Sequence, residues 1–229
     1  MILDKRADLG HGDVKKLLFS LSVPTITSQI VNMLYNLVDR VFIGHMQPAE
    51  TVGKLALTGV GVCLPIIMVI SAFASLMAIG GAPRASIAEG AGESEKSERI
   101  MGNCLTMLVI TALVLTVLFE SFAEPLLLMF GASENTIGYA LDYMRIYAIG
   151  TIFVQLTLGM NAYITAQGFA TVSMKTVLIG ALLNTALDPL FIFVLGLGVR
   201  GAALATVISQ AVSAVWVMTF LTGKKTRWH

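Results

Sequence analysis

Asp39 is the first residue whose position demands a chemical reason, because it is a carboxylate near the far end of a long apolar run that begins at Leu17. A charge there costs roughly 2.5 to 3.5 kcal/mol on membrane-insertion scales unless it faces a polar interior. Thr25, Ser28, Asn32, Tyr35, Asn36 and Asp39 recur at steps of three or four, so a helix presents them as one polar stripe. A second carboxylate lies in a later apolar run, where Asn184 and Asp188 stand i, i+4 on one helical face. Pro189 follows at once; it has no N–H to donate, so the carbonyl of Thr185 is freed beside those two side chains. Carboxylate, amide and carbonyl oxygens are the donors that a hard cation such as sodium takes. The competing structural readings are an Asp39 that snorkels outward beside Arg40 and a simple proline kink with a capped carbonyl.

The elements that position these residues are set by composition. With 56% hydrophobic residues, 13% charged residues and a mean hydropathy of +0.81, the chain is far more apolar than a soluble domain of its size, and membrane is its solvent. Six stretches reach the roughly 20 residues that a helix needs to cross a bilayer: Leu17 to Ile43, Leu55 to Ile79, Ile100 to Phe119, Tyr139 to Ala162, Val172 to Leu195, and Gly201 to Leu221. The fourth is interrupted near its start by Asp142 and Arg145. Strand alternation is absent, so the expected fold is all-α, a polytopic bundle of six transmembrane helices over residues 17–221. It lies between a cytoplasmic amino-terminal segment at 1–16 and a cytoplasmic connector beginning at 222–229. The termini and even-numbered loops hold eleven Lys and Arg residues, while Lys54 and Arg200 alone lie in the odd-numbered loops; the positive-inside rule then puts both termini in the cytoplasm. Gly80 to Arg99 reads as an amphipathic or flexible cytoplasmic connector and candidate hinge, and Glu120 to Gly138 as an outer loop without a basic residue.

This topology places Asp39 and Asp188 late in two outward-going helices, Thr206 about a turn and a half into the inward-going sixth, and Tyr143 just inside the outer end of the fourth. Four helices thus bring polar side chains to one depth.

Other chemistries lack support. His11, His45 and His229 are scattered, and there is no HExxH, GxSxG or P-loop pattern, so no enzyme is indicated. Gly59-Val60-Gly61 lacks the third glycine of a dinucleotide site and reads as a helix-packing surface. Cys63 and Cys104 stand alone in apolar segments, and the formal charge of +1 gives no basis for nucleic-acid binding. The basic start at Lys5, Arg6, Lys15 and Lys16 leads into a run too long and too polar for a cleaved signal, so the first helix is retained. The twelve methionines read as apolar filler more readily than as an adaptable drug surface.

Four passages resemble the multidrug and toxic compound extrusion (MATE) transporters, in particular the amino-terminal lobe of bacterial members. They are Pro24 through Gln29; Val38-Asp39-Arg40-Val41-Phe42-Ile43-Gly44; Asn184-Thr185-Ala186-Leu187-Asp188-Pro189-Leu190-Phe191-Ile192; and Gly201-Ala202-Ala203-Leu204-Ala205-Thr206. The resemblance implies that Asp39 binds the coupling proton or sodium, with Asn184, Asp188 and Thr206 completing a sodium site. It also implies that Tyr35, Tyr143, Asn36 and Gln29 belong to the surrounding network or substrate lining, and that Asn161 lines the drug cavity at a deeper level. No cofactor is implied beyond the coupling ion. Family members have twelve helices in two lobes, and this sequence stops just past the sixth, which reads as one lobe whose carboxyl-terminal partner is missing.

The expected activity is cation-coupled antiport that exports small, cationic drugs across the bacterial inner membrane. A lipid-linked oligosaccharide flippase is the nearest rival, although basic residues would then be expected in the cavity; a non-transporting scaffold fragment is a third reading.

Overall fold

The computed structural model describes residues 14–223 and Thr226, and among these every regular element is helical. Lys5, Arg6, His11 and most of the connector expected after Leu221 lie outside the described residues. Eight α-helices run in order: α1 Val14–Gly44, α2 Lys54–Val62, α3 Leu64–Gly90, α4 Ser94–Met129, α5 Ile137–Ile149, α6 Thr151–Ala166, α7 Ala170–Pro189 and α8 Val199–Leu221. They make six crossings: α1; α2 with α3; α4; α5 with α6; α7; and α8. Five are continuous by length and hydropathy, and the α5–α6 pair passes the same test together although bent by 57°. The all-α, six-span expectation is met, and the chain is a multi-pass membrane protein.

The helices outrun the apolar windows that announced them. Residues 80–99 are no flexible connector: α3 continues to Gly90 and α4 starts at Ser94, and the Ala and Glu residues of this stretch favour helix in water. Gly92, at φ 81°, closes the end of α3 in a left-handed cap, with Glu93 N–H donating to Ala88 O and Gly92 N–H to Glu89 O. The outer loop is likewise shorter than Glu120 to Gly138. α4 runs on to Met129, kinked at Phe122 ahead of Pro125, and Gly131 ends it with the same cap, Ala132 N–H donating to Leu127 O. At about 1.5 Å per residue α4 is roughly 54 Å long, so both of its ends leave the hydrocarbon. Asp142, the charge that interrupted the fourth span, is held by the Arg200 guanidinium at 2.8 Å.

Close approaches rest on glycines. A Cβ at Gly59 would meet the Tyr139 Cβ at 2.9 Å, one at Gly201 the Phe191 backbone at 2.7 Å, and one at Gly150, in the α5–α6 bend, the Val207 side chain at 2.4 Å. α2 therefore packs tightly on α5, and α8 lies against both the bend and the π-helical turn Leu190–Val194 that follows Pro189. α1 packs chiefly along α7.

Candidate cation site

Asp39 is 8% exposed and Asp188 fully buried, so neither carboxylate snorkels to the surface. α1 and α7 bring the two carboxyl groups close enough to act on one another electrostatically. The Asn184 side-chain amide donates to Asp188 Oδ1 at 3.3 Å and to Thr206 Oγ1 at 3.3 Å, which ties α7 to α8. The Tyr143 hydroxyl reaches Thr206 from α5, and the Tyr35 hydroxyl lies in the field of both carboxylates. Arg40, next in the chain, is the cation that acts on Asp39. The four-helix convergence expected from depth alone is what the fold builds.

The cluster lacks donors. Asp39 Oδ1, Asp188 Oδ2 and Asn184 Oδ1 are all buried without a hydrogen-bond partner, and a buried acceptor left alone carries a cost of about 1–3 kcal/mol. Three orphaned oxygens on two helices are a set that a proton or a small hard cation completes. Asn184, a neutral amide, and Thr206, a hydroxyl, extend the oxygen set without adding charge. Among the described residues no three His, Cys, Asp or Glu side chains gather at one point, so the site does not fit a transition metal; its donors are those that suit sodium.

Not every predicted residue joins. Asn36 is exposed and its amide donates to Asn32 O in its own helix at 2.6 Å, because the step from Tyr35 turns it about 100° around α1. Gln29 and Asn161 lie elsewhere, lining an open cavity of about 840 Å³ between α1, α3, α6 and α7. Asn161 donates there to Ser173 O at 3.3 Å, so it lies deeper than the carboxylates, as its place in the sequence indicated. Thr25 and Ser28 line the same cavity, their hydroxyls bonded to Leu21 O and Pro24 O. The stripe of α1 is thus divided between a cation cluster and a cavity. A narrow space of about 40 Å³ lies between them and shares Asn32 and Thr157 with the cavity and Asn184 and Thr206 with the cluster.

Sequence reasoning missed Tyr147, which stacks on Tyr143 with ring centroids 5.9 Å apart, and the polar face of α8 that lines the narrow space. Thr206, Ser209, Gln210 and Ser213 are spaced at threes and fours, the same signal that identified the α1 stripe. Gln155 was also missed; it is fully buried and donates to Ile70 O at 2.9 Å.

Comparison with known proteins agrees with the fold. The family model described as MatE matches residues 24–190. The multidrug export protein MepA of Staphylococcus haemolyticus (strain JCSC1435) is 29% identical over 214 residues, a match that covers 93% of this chain and 46% of that protein. A solved outward-facing multidrug resistance MATE family transporter of the MOP superfamily superimposes with a TM-score of 0.86 at 28% identity, covering 95% of this chain and 47% of its own. A MOP superfamily transporter from Pyrococcus furiosus, whose pocket is described as reversed in polarity, gives 0.85 at 28% identity, covering 93% and 46%. The chain spans about half the length of the curated relatives it matches.

Proposed function

Because the chain belongs to the MatE family, we propose that it is one lobe of a cation-coupled multidrug exporter, working by alternating access with a second six-helix unit. The observation that carries this reading is the pair of buried carboxylates, Asp39 and Asp188, whose unpartnered oxygens lie one narrow polar gap away from an open cavity. A proton or sodium ion arriving from outside completes those oxygens. Binding it draws α1 toward α7 and so reshapes the cavity that α1 lines, which loosens a bound drug; the drug in turn disfavours the cation, since coupling between two sites is reciprocal. The cavity lining holds amides and hydroxyls and no charged side chain, which suits an organic cation drawn by nearby acids and supplies no basic residue to neutralise a lipid phosphate. The basic asymmetry of the flanks supports a cytoplasmic-membrane orientation with both termini inside. The cleft between α1 and α3, lined by Thr25, Gln29 and Asn161, is a polar surface that a second lobe would cover.

Labelled ethidium uptake into inverted vesicles tests this, using cells that express the chain together with a matching second lobe. Sodium loaded inside the vesicles, or an inward-acid pH gradient, should drive uptake, and Asp39→Asn should abolish the response to either. Uptake indifferent to both gradients, or unchanged in Asp39→Asn, would overturn cation coupling; equal uptake by the chain without a second lobe would overturn the pairing.

A further inference from the structure

A second cavity, of about 770 Å³, lies on the opposite side of α3, between α3 and α4. It belongs neither to the cation cluster nor to the drug cavity, although Ile87 borders both cavities. Its volume falls in the range of about 300–1,000 Å³ usual for ligand sites. Its two ends differ in chemistry. Toward the turn joining the helices it is lined by Arg84, Glu93 and Lys96, with Ile100 about level with Arg84; farther from the turn it is lined by Leu76, Met77 and Asn103. Arg84 stands about a turn and a half before the end of α3 and Lys96 in the first turn of α4, so both cations sit where the helices leave the hydrocarbon. Lys96 is paired with Glu93 at 2.7 Å, whereas Arg84 makes no ion pair among the described residues. Leu76 and Ile87 are 60% and 72% exposed, so the apolar wall is open and able to receive an acyl chain. Gly80 forms part of that wall, and a Cβ added there meets nothing within 4 Å.

We propose that this groove binds one anionic phospholipid of the phosphatidylglycerol type, its phosphate held by Arg84 and Lys96 and one acyl chain lying along Leu76, Met77 and Ile100. Basic pockets between transmembrane helices at the cytoplasmic face select anionic headgroups for electrostatic reasons, and the apolar floor supplies what a free phosphate could not use. Glu93 offers an acceptor to headgroup hydroxyls. Glu93 also subtracts one charge from the site, so selectivity rests on Arg84, whose charge has no competing partner. The proposal requires only that the chain span a membrane; it does not require transport.

Native mass spectrometry of the detergent-purified 229-residue chain, titrated with phosphatidylglycerol, reads the site directly. One lipid should be retained more tightly than the rest. Arg84→Gln and Lys96→Gln should each weaken that binding about fivefold, the effect expected for one basic side chain near an anionic surface. Gly80→Leu should displace the lipid by filling the groove, with the helical circular dichroism unchanged. Arg99→Gln, whose side chain pairs with Glu95 outside the groove, should leave binding as it was. Glycerol 3-phosphate, the headgroup without its chains, should not bind measurably. Equal retention of phosphatidylethanolamine or phosphatidylcholine, binding of glycerol 3-phosphate alone, or an Arg84→Gln variant that matches the native chain would each overturn the proposal. Should Gly80→Leu fail to fold, the two exposed charge substitutions still decide it.

Discussion

At the end of the bundle that holds Asp39 and Asp188, α1, α2, α3, α5 and α8 close around Ile43, Val60, Ile66, Tyr143, Met144 and Ala203. At the other end the buried core is carried by Ala82 of α3, Leu108 of α4, Tyr163 of α6, Val172 of α7 and Val217 of α8, and no α1 residue enters it. The same helix is therefore packed at one end and open at the other, and its polar residues differ to match. Asp39 is ionisable, buried and faces groups from α5 and α7. Thr25 and Ser28 are neutral and satisfied by their own backbone. Charge is kept where the scaffold is tight enough to hold several oxygens together against their repulsion, and neutral polarity is kept where α1 borders the open cavity.

The comparison breaks most visibly if close packing at the closed end is dispensable. Gly201→Val forces a branched side chain onto the Phe191 backbone, which cannot rotate away, and should cost on the order of 3 kcal/mol or more. Gly80→Ala at the open end, where a Cβ meets nothing, should change stability by less than about 1 kcal/mol, in the stabilising direction expected for glycine in a helix. Chemical denaturation of the two variants in detergent measures both, and equal losses would show that the two ends are packed alike.

Next in size is the cation response. Binding to the folded state stabilises by RT ln(1 + [L]/Kd), about 2.7 kcal/mol at a hundredfold excess over Kd, so sodium should raise the melting temperature of the native chain. Two carboxyl groups in contact oppose joint ionisation, and a proton occupies the same oxygens as the metal. The sodium effect should therefore be largest at alkaline pH and fade as pH falls, with potassium doing less. Asp188→Asn keeps the size, removes the charge and should abolish the effect while the helix content stays native. A sodium response that survives in Asp188→Asn would reduce the α7 site to a proline kink, and the cation would then be held without Asp188.

The spans, the burial of both carboxylates and their meeting with Asn184, Thr206, Tyr35 and Tyr143 were all legible, since periodicity and charge asymmetry report which face and which depth a side chain occupies. Helix ends were not. Hydropathy falls at the membrane surface while helix propensity does not, so residues 80–90 and 94–99 read as connector although Gly92 already marked the stop. The division of the α1 stripe was also invisible, because period 3.6 assigns a residue to a face without saying which neighbour covers that face. Asn36 shows the limit within a single step: it fits the spacing from Asn32, yet a helical face is broad enough that one of two adjacent polar residues points away. The α8 stripe of Thr206, Ser209, Gln210 and Ser213 was as periodic as that of α1 and went unread because it contains no charge.

The smallest effect is expected where the open end's polarity is tested alone. Ser28 Oγ donates to Pro24 O at 2.8 Å, one turn back in the same helix, so the hydroxyl connects α1 to nothing else. Back-bonding of this kind slightly weakens and bends a helix, and removing it leaves the carbonyl its backbone partner. Ser28→Ala should therefore shift stability by no more than about 0.5 kcal/mol and leave the sodium-dependent melting shift intact, while altering ethidium affinity through the lost cavity hydroxyl. A destabilisation above about 1 kcal/mol would mean that Ser28 supports packing after all. A lost sodium shift would be more instructive, because a neutral side chain about three turns from Asp39 could affect the cation only through the tilt of α1 itself, and the two ends would then respond as one lever in place of two separately built sites.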